Sequence, residues 1–325
     1  MDNSKACPEL DSGTQKEGVS RIYNGQDGYA PMAAYLGREG WCLELELRAG
    51  KQHSPSEFIP FLNRVLEKAR SLTSRKLLVR PDSAHDAPVS STGQALETRL
   101  APGSGPGQAL AGQNKIRYIL KWNPRKEDLK EWARRIFEQG KVTTPRPGKR
   151  VGLLTVRIQQ IHAGKTYRFK RVMRAVERTI DRHGQILLMP QIEVDGWWTT
   201  LDLPENQVIR LYEDHGTSEP FHSEIKSDMD AERLPSGKFA TNALILTLTG
   251  LSYNILRAMG QLALVDGKSP VRHPAKRRRI KTVMQELIYL AARLVKTGRR
   301  FKLLFSRHCP GFGAFQALYQ RWAFG

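Results

Sequence analysis

Four residues in the second half of the chain have types and a spacing that could do chemistry together. Tyr212, His215, Glu219 and Lys226 stand at offsets of 0, 3, 7 and 14 residues. At 3.6 residues per turn, these offsets predict one face of one helix. A polar helix face is most often the wet face, and that plain reading competes here. This face, however, orders a phenol, an imidazole, a carboxylate and an ammonium. A second carboxylate, Asp82, follows the apolar run Lys76–Arg80 and Pro81. A strand end of this kind is where α/β proteins place their chemistry, although an Asp there is more often a turn initiator. Carboxylates that gather repel one another until a divalent cation binds, and that cation can then polarise a phosphodiester.

The elements that must hold these residues are readable in outline. Trp41, Leu43, Leu45 and Leu47 alternate with polar neighbours, which predicts a half-buried strand. Ser54-Pro55-Ser56-Glu57 predicts a helix start, followed by an apolar face through Phe58, Phe61, Leu62, Val65, Leu66 and Ala69. Lys76–Arg80 predicts a short strand. Residues 88–113 are rich in Gly, Ala, Ser and Pro and read as a low-complexity insert. Lys115–Trp122 predicts a strand and Glu127–Glu138 a helix. From Val151 to Thr200, β-branched and aromatic runs predict a small β-rich subdomain. Helices are expected over about 205–230, 238–262 and 275–297. The most apolar stretch, Ala240–Val265, is broken by Asn242, Asn254 and Arg257, so it reads as a buried helix rather than a membrane span.

Charge narrows the class of partner. The 325 residues carry 52 Lys+Arg against 32 Asp+Glu, a formal +20. Residues 115–182 hold 20 basic and 6 acidic groups, and residues 271–308 hold 12 basic and 1 acidic. Between them, residues 183–270 hold 6 basic and 12 acidic groups. Two arms this unbalanced repel each other unless a polyanion lies against them, which points to nucleic acid. Lys276-Arg277-Arg278-Arg279 reads as a phosphate-binding helix start. Trp197-Trp198 reads either as strand core or as a platform for an unpaired base. Three cysteines without a CxxC pair exclude a disulfide framework and a structural zinc site. Neither a P-loop nor a GxGxxG is present, so no nucleotide cofactor is implied.

The spacing Tyr212, Glu219, Lys226 resembles the YREK signature of insertion-sequence DDE transposases of bacteria, with His215 in place of the Arg. The segments KEGVSRIYNGQDGYAPMAAYLGREGW, LLVRPDSAHDA, KWNPR, GWWTTL and DHGTSEPFHSEIKSDMDAERLPSGKFATNAL are similar to the transposase DDE domain group 1. The resemblance covers nearly the whole chain from about residue 16. It implies an α/β fold, an RNase H-like catalytic core interrupted by a β-rich insertion, with a helical C-terminal region. The expected organisation is residues 1–122 as the first part of the core and 123–203 as the basic insertion. Residues 204–265 would be the second part of the core, with the Glu-bearing helix, and 266–325 a basic helical region.

By the same resemblance, Asp82 and Glu219 are the second and third metal-binding carboxylates of a two-ion site for Mg²⁺ or Mn²⁺. Tyr212, His215 and Lys226 hold the DNA backbone, joined by Lys276, Arg277, Arg278 and Arg279. The implied partner is DNA, at terminal inverted repeats and at a target, with a homodimer as the expected assembly. No membrane partner is expected, and the expected location is the bacterial cytoplasm at the nucleoid. Counting back from Lys16-Glu17-Gly18, the family's first carboxylate falls on Lys5, so the copy reads as N-terminally truncated. Pro81 and Pro220 also depart from the pattern. The alternative to a DNA-cleaving transposase is therefore a DNA-binding protein without catalysis.

Overall fold

The computed structural model describes residues 15–22, 25–52, 57–83, 116–124, 127–162, 165–181, 183–214, 219–265 and 277–324. The chain divides into two compact units, Met1–Gln52 with Thr217–Gly325, and His53–Gly216.

The first unit begins with β1 (Ser20–Arg21) and β2 (Asp27–Gly28), then the hairpin β3 (Met32–Leu36) and β4 (Trp41–Glu46). β4 is the strand expected from alternation, but the alternation breaks inside it. Ala34 pairs with Glu44 and Tyr35 with Cys42, so Leu43 is an extra residue. That bulge reverses the parity. Cys42 and Leu45 are buried, while Trp41 and Leu43 are only half-buried.

The second unit opens with α1 (Phe58–Leu72), which buries Phe58, Phe61, Leu62, Leu66 and Ala69 on the expected face. Its N-cap is Glu57 at φ 58, without a side-chain cap. The expected capping residues 54–56 lie outside the described residues. β5 is only Leu78–Val79 and runs parallel to β6 (Arg117–Lys121). Pro81 therefore lies beyond the strand and removes no ladder donor. The low-complexity insert at 88–113 lies outside the described residues.

α2 (Leu129–Gln139) starts at Asp128, whose carboxylate accepts from the Lys130 N–H at 2.8 Å. β7 (Lys141–Arg146), β8 (Lys149–His162), β9 (Lys165–Ile180) and β10 (Ile186–Thr199) follow as an antiparallel meander. β10 also pairs with β6, so one six-stranded mixed sheet runs in the order β5-β6-β10-β9-β8-β7. The β-rich stretch thus continues the sheet that holds β5. Ile119, Val172 and Trp197 pack under Val208 and Ile209 of α3 (Glu205–Glu213).

The chain then returns to the first unit. The continuous helix expected over about 205–230 is broken: α3 ends at Glu213, and α4 (Glu219–Ser223) runs into a π-helical turn, Glu224–Asp228. α5 (Phe239–Ala263) buries Asn242, Leu246, Gly250, Tyr253, Arg257 and Gly260 on one face. The other face exposes Leu244, Leu248, Leu251 and Ile255. This helix is long and apolar enough to cross a membrane by length and composition. It also packs on β4, and its buried Asn242 and Arg257 hydrogen-bond to neighbours, with Arg257 Nε left without a partner among the described residues. Asn242 Nδ2 donates to the Tyr29 hydroxyl and to the Ser236 carbonyl.

The helix expected over 275–297 is a second correction. α6 (Ile280–Val283) passes into a π-helical turn at Met284–Ile288, and β11 (Ala292–Thr297) and β12 (Arg300–Phe305) then form an antiparallel hairpin. α7 (Phe312–Phe324) follows. The C-terminal region is mixed rather than helical. The hairpin forms because Gly298 adopts φ 58 in a two-residue loop, a turn that needs glycine at its first position. β-branched and aromatic residues on either side favour the extended state.

Candidate active site

In the second unit, Asp82 stands just past β5. Its Oδ1 accepts from the Ser83 N–H at 2.5 Å and from the Ser83 hydroxyl at 3.2 Å. Arg80 ties the same strand end to the last turn of α3, donating from Nη1 to the Leu211 carbonyl at 2.8 Å. Tyr212 is the next residue along that helix. Burial pushes its phenol well above the ordinary value, the Asp82 carboxylate pushes it further, and Arg80 opposes them. Two of the sequence-derived site residues are therefore brought within electrostatic reach of each other. Arg80 joins them, and the sequence reading did not single it out. The available signal was a cation at a strand end, one turn residue before the Asp.

Beside them lies a chain of ion pairs. Asp195 Oδ1 is 2.5 Å from Lys121 Nζ, and its Oδ2 is 2.8 Å from Arg174 Nη2. Arg174 Nη1 reaches Glu213 Oε1 at 2.6 Å. Burial pushes Asp195 up, but Lys121 and Arg174 outweigh it and hold the carboxyl below its usual range. The tryptophans are core. Trp197 is 1% exposed, with Lys121 and Arg174 cations 4.4 and 5.1 Å from its ring. Arg171 is enclosed by Trp122, Trp132 and Trp198 and bridges to Glu127. With both rings covered, the core reading of Trp197-Trp198 holds.

In the first unit, Glu219 is the first residue of α4, with Pro220 second. A proline is tolerated in a first helical turn, so the second proline departure is accommodated by the helix restarting. Lys226 sits on the π-helical turn, its ammonium 3.9 Å from Glu232 Oε2. The expected single helix through Tyr212, Glu219 and Lys226 is replaced by separate elements: Tyr212 lies on α3, which ends at Glu213, Glu219 opens α4, and Lys226 lies on the π-helical turn. His215 lies outside the described residues. Three residues on from Glu219, His222 Nδ1 is 3.3 Å from the Tyr35 hydroxyl, and burial pushes this imidazole down to about 4.

The π-helical turn is fixed from below by Glu224, which is 1% exposed. Its Oε2 accepts from Arg257 Nη2 and from the Tyr253 hydroxyl, and its Oε1 accepts from Arg277 Nη1 at 2.5 Å. Arg278 is buried and donates from Nε to the Leu264 carbonyl at 2.9 Å. Arg279 grips Asp228 with Nε and Nη2, both at 2.8 Å. The three described cations of the basic run are thus engaged as a clasp between the start of α6, the end of α5 and the π-helical turn. Lys276 lies outside the described residues.

Among the described residues, no three His, Cys, Asp or Glu side chains are grouped to hold one metal ion. Asp82 offers hard oxygen donors of the kind Mg²⁺ takes. Asp195 is committed to two cations.

The family profile of the transposase DDE domain group 1 matches residues 110–323. No curated protein matches the chain. One similar solved structure is the piggyBac transposase in its synaptic complex with hairpin DNA, at 10% identity and a TM-score of 0.40. That alignment takes in 82% of this chain and 47% of the other, so the chain spans about half the length of that protein. With two thirds of its own length inside the family profile, the chain belongs to the transposase DDE domain group 1 family.

Proposed function

We propose that the chain is a DNA transposase that hydrolyses phosphodiesters and transfers strands at the ends of an insertion sequence. What supports this reading is that the Asp82 carboxylate lies within electrostatic range of the Tyr212 phenol, beside the Arg80–Leu211 hydrogen bond. Asp82 is the second carboxylate and Glu219, opening α4, the third. A hard divalent ion, Mg²⁺ or Mn²⁺, would supply the Lewis acidity that phosphoryl transfer needs. Asp82 and Glu219 would hold it. The Tyr212 phenol is protonated at neutral pH like any ordinary tyrosine, and burial and Asp82 oppose its ionisation further. It can therefore donate a hydrogen bond to a phosphate oxygen. Lys226 would contact phosphate as a point charge. The substrate is DNA at inverted repeats, the assembly a homodimer and the location the bacterial nucleoid.

The second reading, DNA binding without catalysis, is favoured by one observation: Lys5 stands where the family's first carboxylate belongs. Nicking and joining of inverted-repeat DNA in Mg²⁺ or Mn²⁺ separates the two. Cleavage that disappears in Asp82→Ala and in Glu219→Ala is expected. Binding without any cleavage would establish the second reading, and cleavage that survives both substitutions would overturn the site.

A further inference from the structure

Among the described residues, no carboxylate forms an ion pair with the cations of the hairpin β11–β12. Arg293, Lys296, Arg299, Arg300 and Lys302 are all exposed. The last acidic residue in the chain is Glu286, so the sequence from Leu287 to Gly325 contains no carboxylate side chain. The basic run at Arg277–Arg279 is the opposite case, since its arginines are spent on Glu224, the Leu264 carbonyl and Asp228. The register sorts the side chains of the hairpin by face. Arg293↔Leu304, Val295↔Lys302 and Thr297↔Arg300 share one face, and Ala292↔Phe305, Leu294↔Leu303 and Lys296↔Phe301 share the other. The base of the apolar face is anchored, with the Phe305 ring 5.3 and 5.1 Å from those of Phe312 and Phe315 of α7. The other face carries Arg293, Arg300 and Lys302 beside Val295, Thr297 and Leu304, with Arg299 at the tip. A lone two-stranded ribbon is marginal in water, and here it spans about 17 Å at a width of two strands. Those dimensions suit the major groove of a duplex, roughly 12 Å wide.

We propose that β11–β12 is a DNA grip, with Arg293, Arg299, Arg300 and Lys302 lying along the phosphates of duplex DNA. The grip is distinct from Tyr212, Lys226 and the arginine clasp, and it rests on the transposase reading for the identity of its polyanion. Each phosphate contact contributes about 0.9 to the slope of log affinity against log salt.

The test is duplex binding by the full chain, followed by fluorescence anisotropy across a salt series. The triple variant Arg293→Gln, Arg300→Gln, Lys302→Gln is expected to lower the slope by roughly 2–3 and to weaken binding about 10- to 100-fold at moderate salt. A second triple variant, Arg38→Gln, Arg75→Gln, Lys130→Gln, removes the same charge from exposed sites elsewhere and is expected to keep the slope. Arg293→Lys with Arg300→Lys is expected to keep it too. Equal slopes in wild type and hairpin variant, or equal losses in both triple variants, would overturn the grip while leaving DNA binding by the chain intact. No duplex binding by the wild type would overturn the grip and the transposase reading together. Capture on anionic phospholipid vesicles through the same three residues, with DNA binding unchanged, would assign the hairpin to a lipid surface instead.

Discussion

Glu224 is the carboxylate whose surroundings are most demanding. It is buried with Arg257, and Tyr253 and Arg277 complete its hydrogen bonds. Removing one partner of such a pair strands the other charge in the interior, at about 3–5 kcal/mol. Glu224→Gln is therefore expected to lower the urea midpoint sharply, whereas exposed Glu138→Gln should shift it little. A second residue-scale expectation concerns His222. Its folded value of about 4 lies below the unfolded value of about 6.5. Between these values the unfolded chain holds the extra proton, so stability falls as pH drops from about 6.5 toward 4 and is flat above. Unfolding free energies from urea melts at neutral pH and near pH 5 should differ by about 2 kcal/mol in the wild type and by much less in His222→Gln. An undiminished difference in the variant would assign the pH effect to another group.

At the scale of elements, the seating of α4 depends on Gly40. This residue holds φ 77, and a Cβ there would come within 2.4 Å of the Phe221 ring. Phe221 lies two residues beyond Glu219 on α4 and is 2% exposed. Gly40→Ala combines left-handed strain with overpacking and is expected to cost about 2–4 kcal/mol. Gly25 has the same backbone conformation, at φ 83, with open space around it. Gly25→Ala should cost only the strain, about 1–2 kcal/mol, and similar midpoints for the two variants would show that Phe221 yields. The elements most legible in the sequence were those with one strong period. α1 keeps its five buried apolar residues on the expected face, and the β-branched runs at 151–200 are three long strands. Elements governed by one special residue were less legible. Leu43 bulges and inverts β4, Gly298 turns an expected helix into a hairpin, and α3 ends at Glu213 so that Tyr212 and Glu219 fall on different helices. A bulge or a turn is decided by pairing partners distant in sequence, which periodicity does not register.

At the scale of the whole chain, the net +20 separates into two kinds of cation. Some are structural: Arg171 among tryptophans, Arg174 on Asp195, Arg257 and Arg277 on Glu224. Others, on β11–β12, have no acidic neighbour in sequence to answer them. The sequence shows that charge is abundant, and only the fold shows which part of it is available to a partner. The candidate site follows the same pattern. Asp82 and Tyr212 were nameable from their residue types and spacing, but their proximity comes from β5 and α3 meeting through Arg80.

The tryptophans stacked against cations have a spectroscopic consequence. Four of the six, Trp122, Trp132, Trp197 and Trp198, belong to the unit of residues 53–216, and only Trp41 and Trp322 belong to the other. Indole emission excited selectively is thus dominated by one unit, with a colour and yield set by buried guanidinium and ammonium groups against the rings. As urea separates those groups from the indoles, the emission should shift to the red and report the melting of that unit. Far-ultraviolet circular dichroism reports both, so a gap between the two curves would resolve the chain into two separately cooperative bodies.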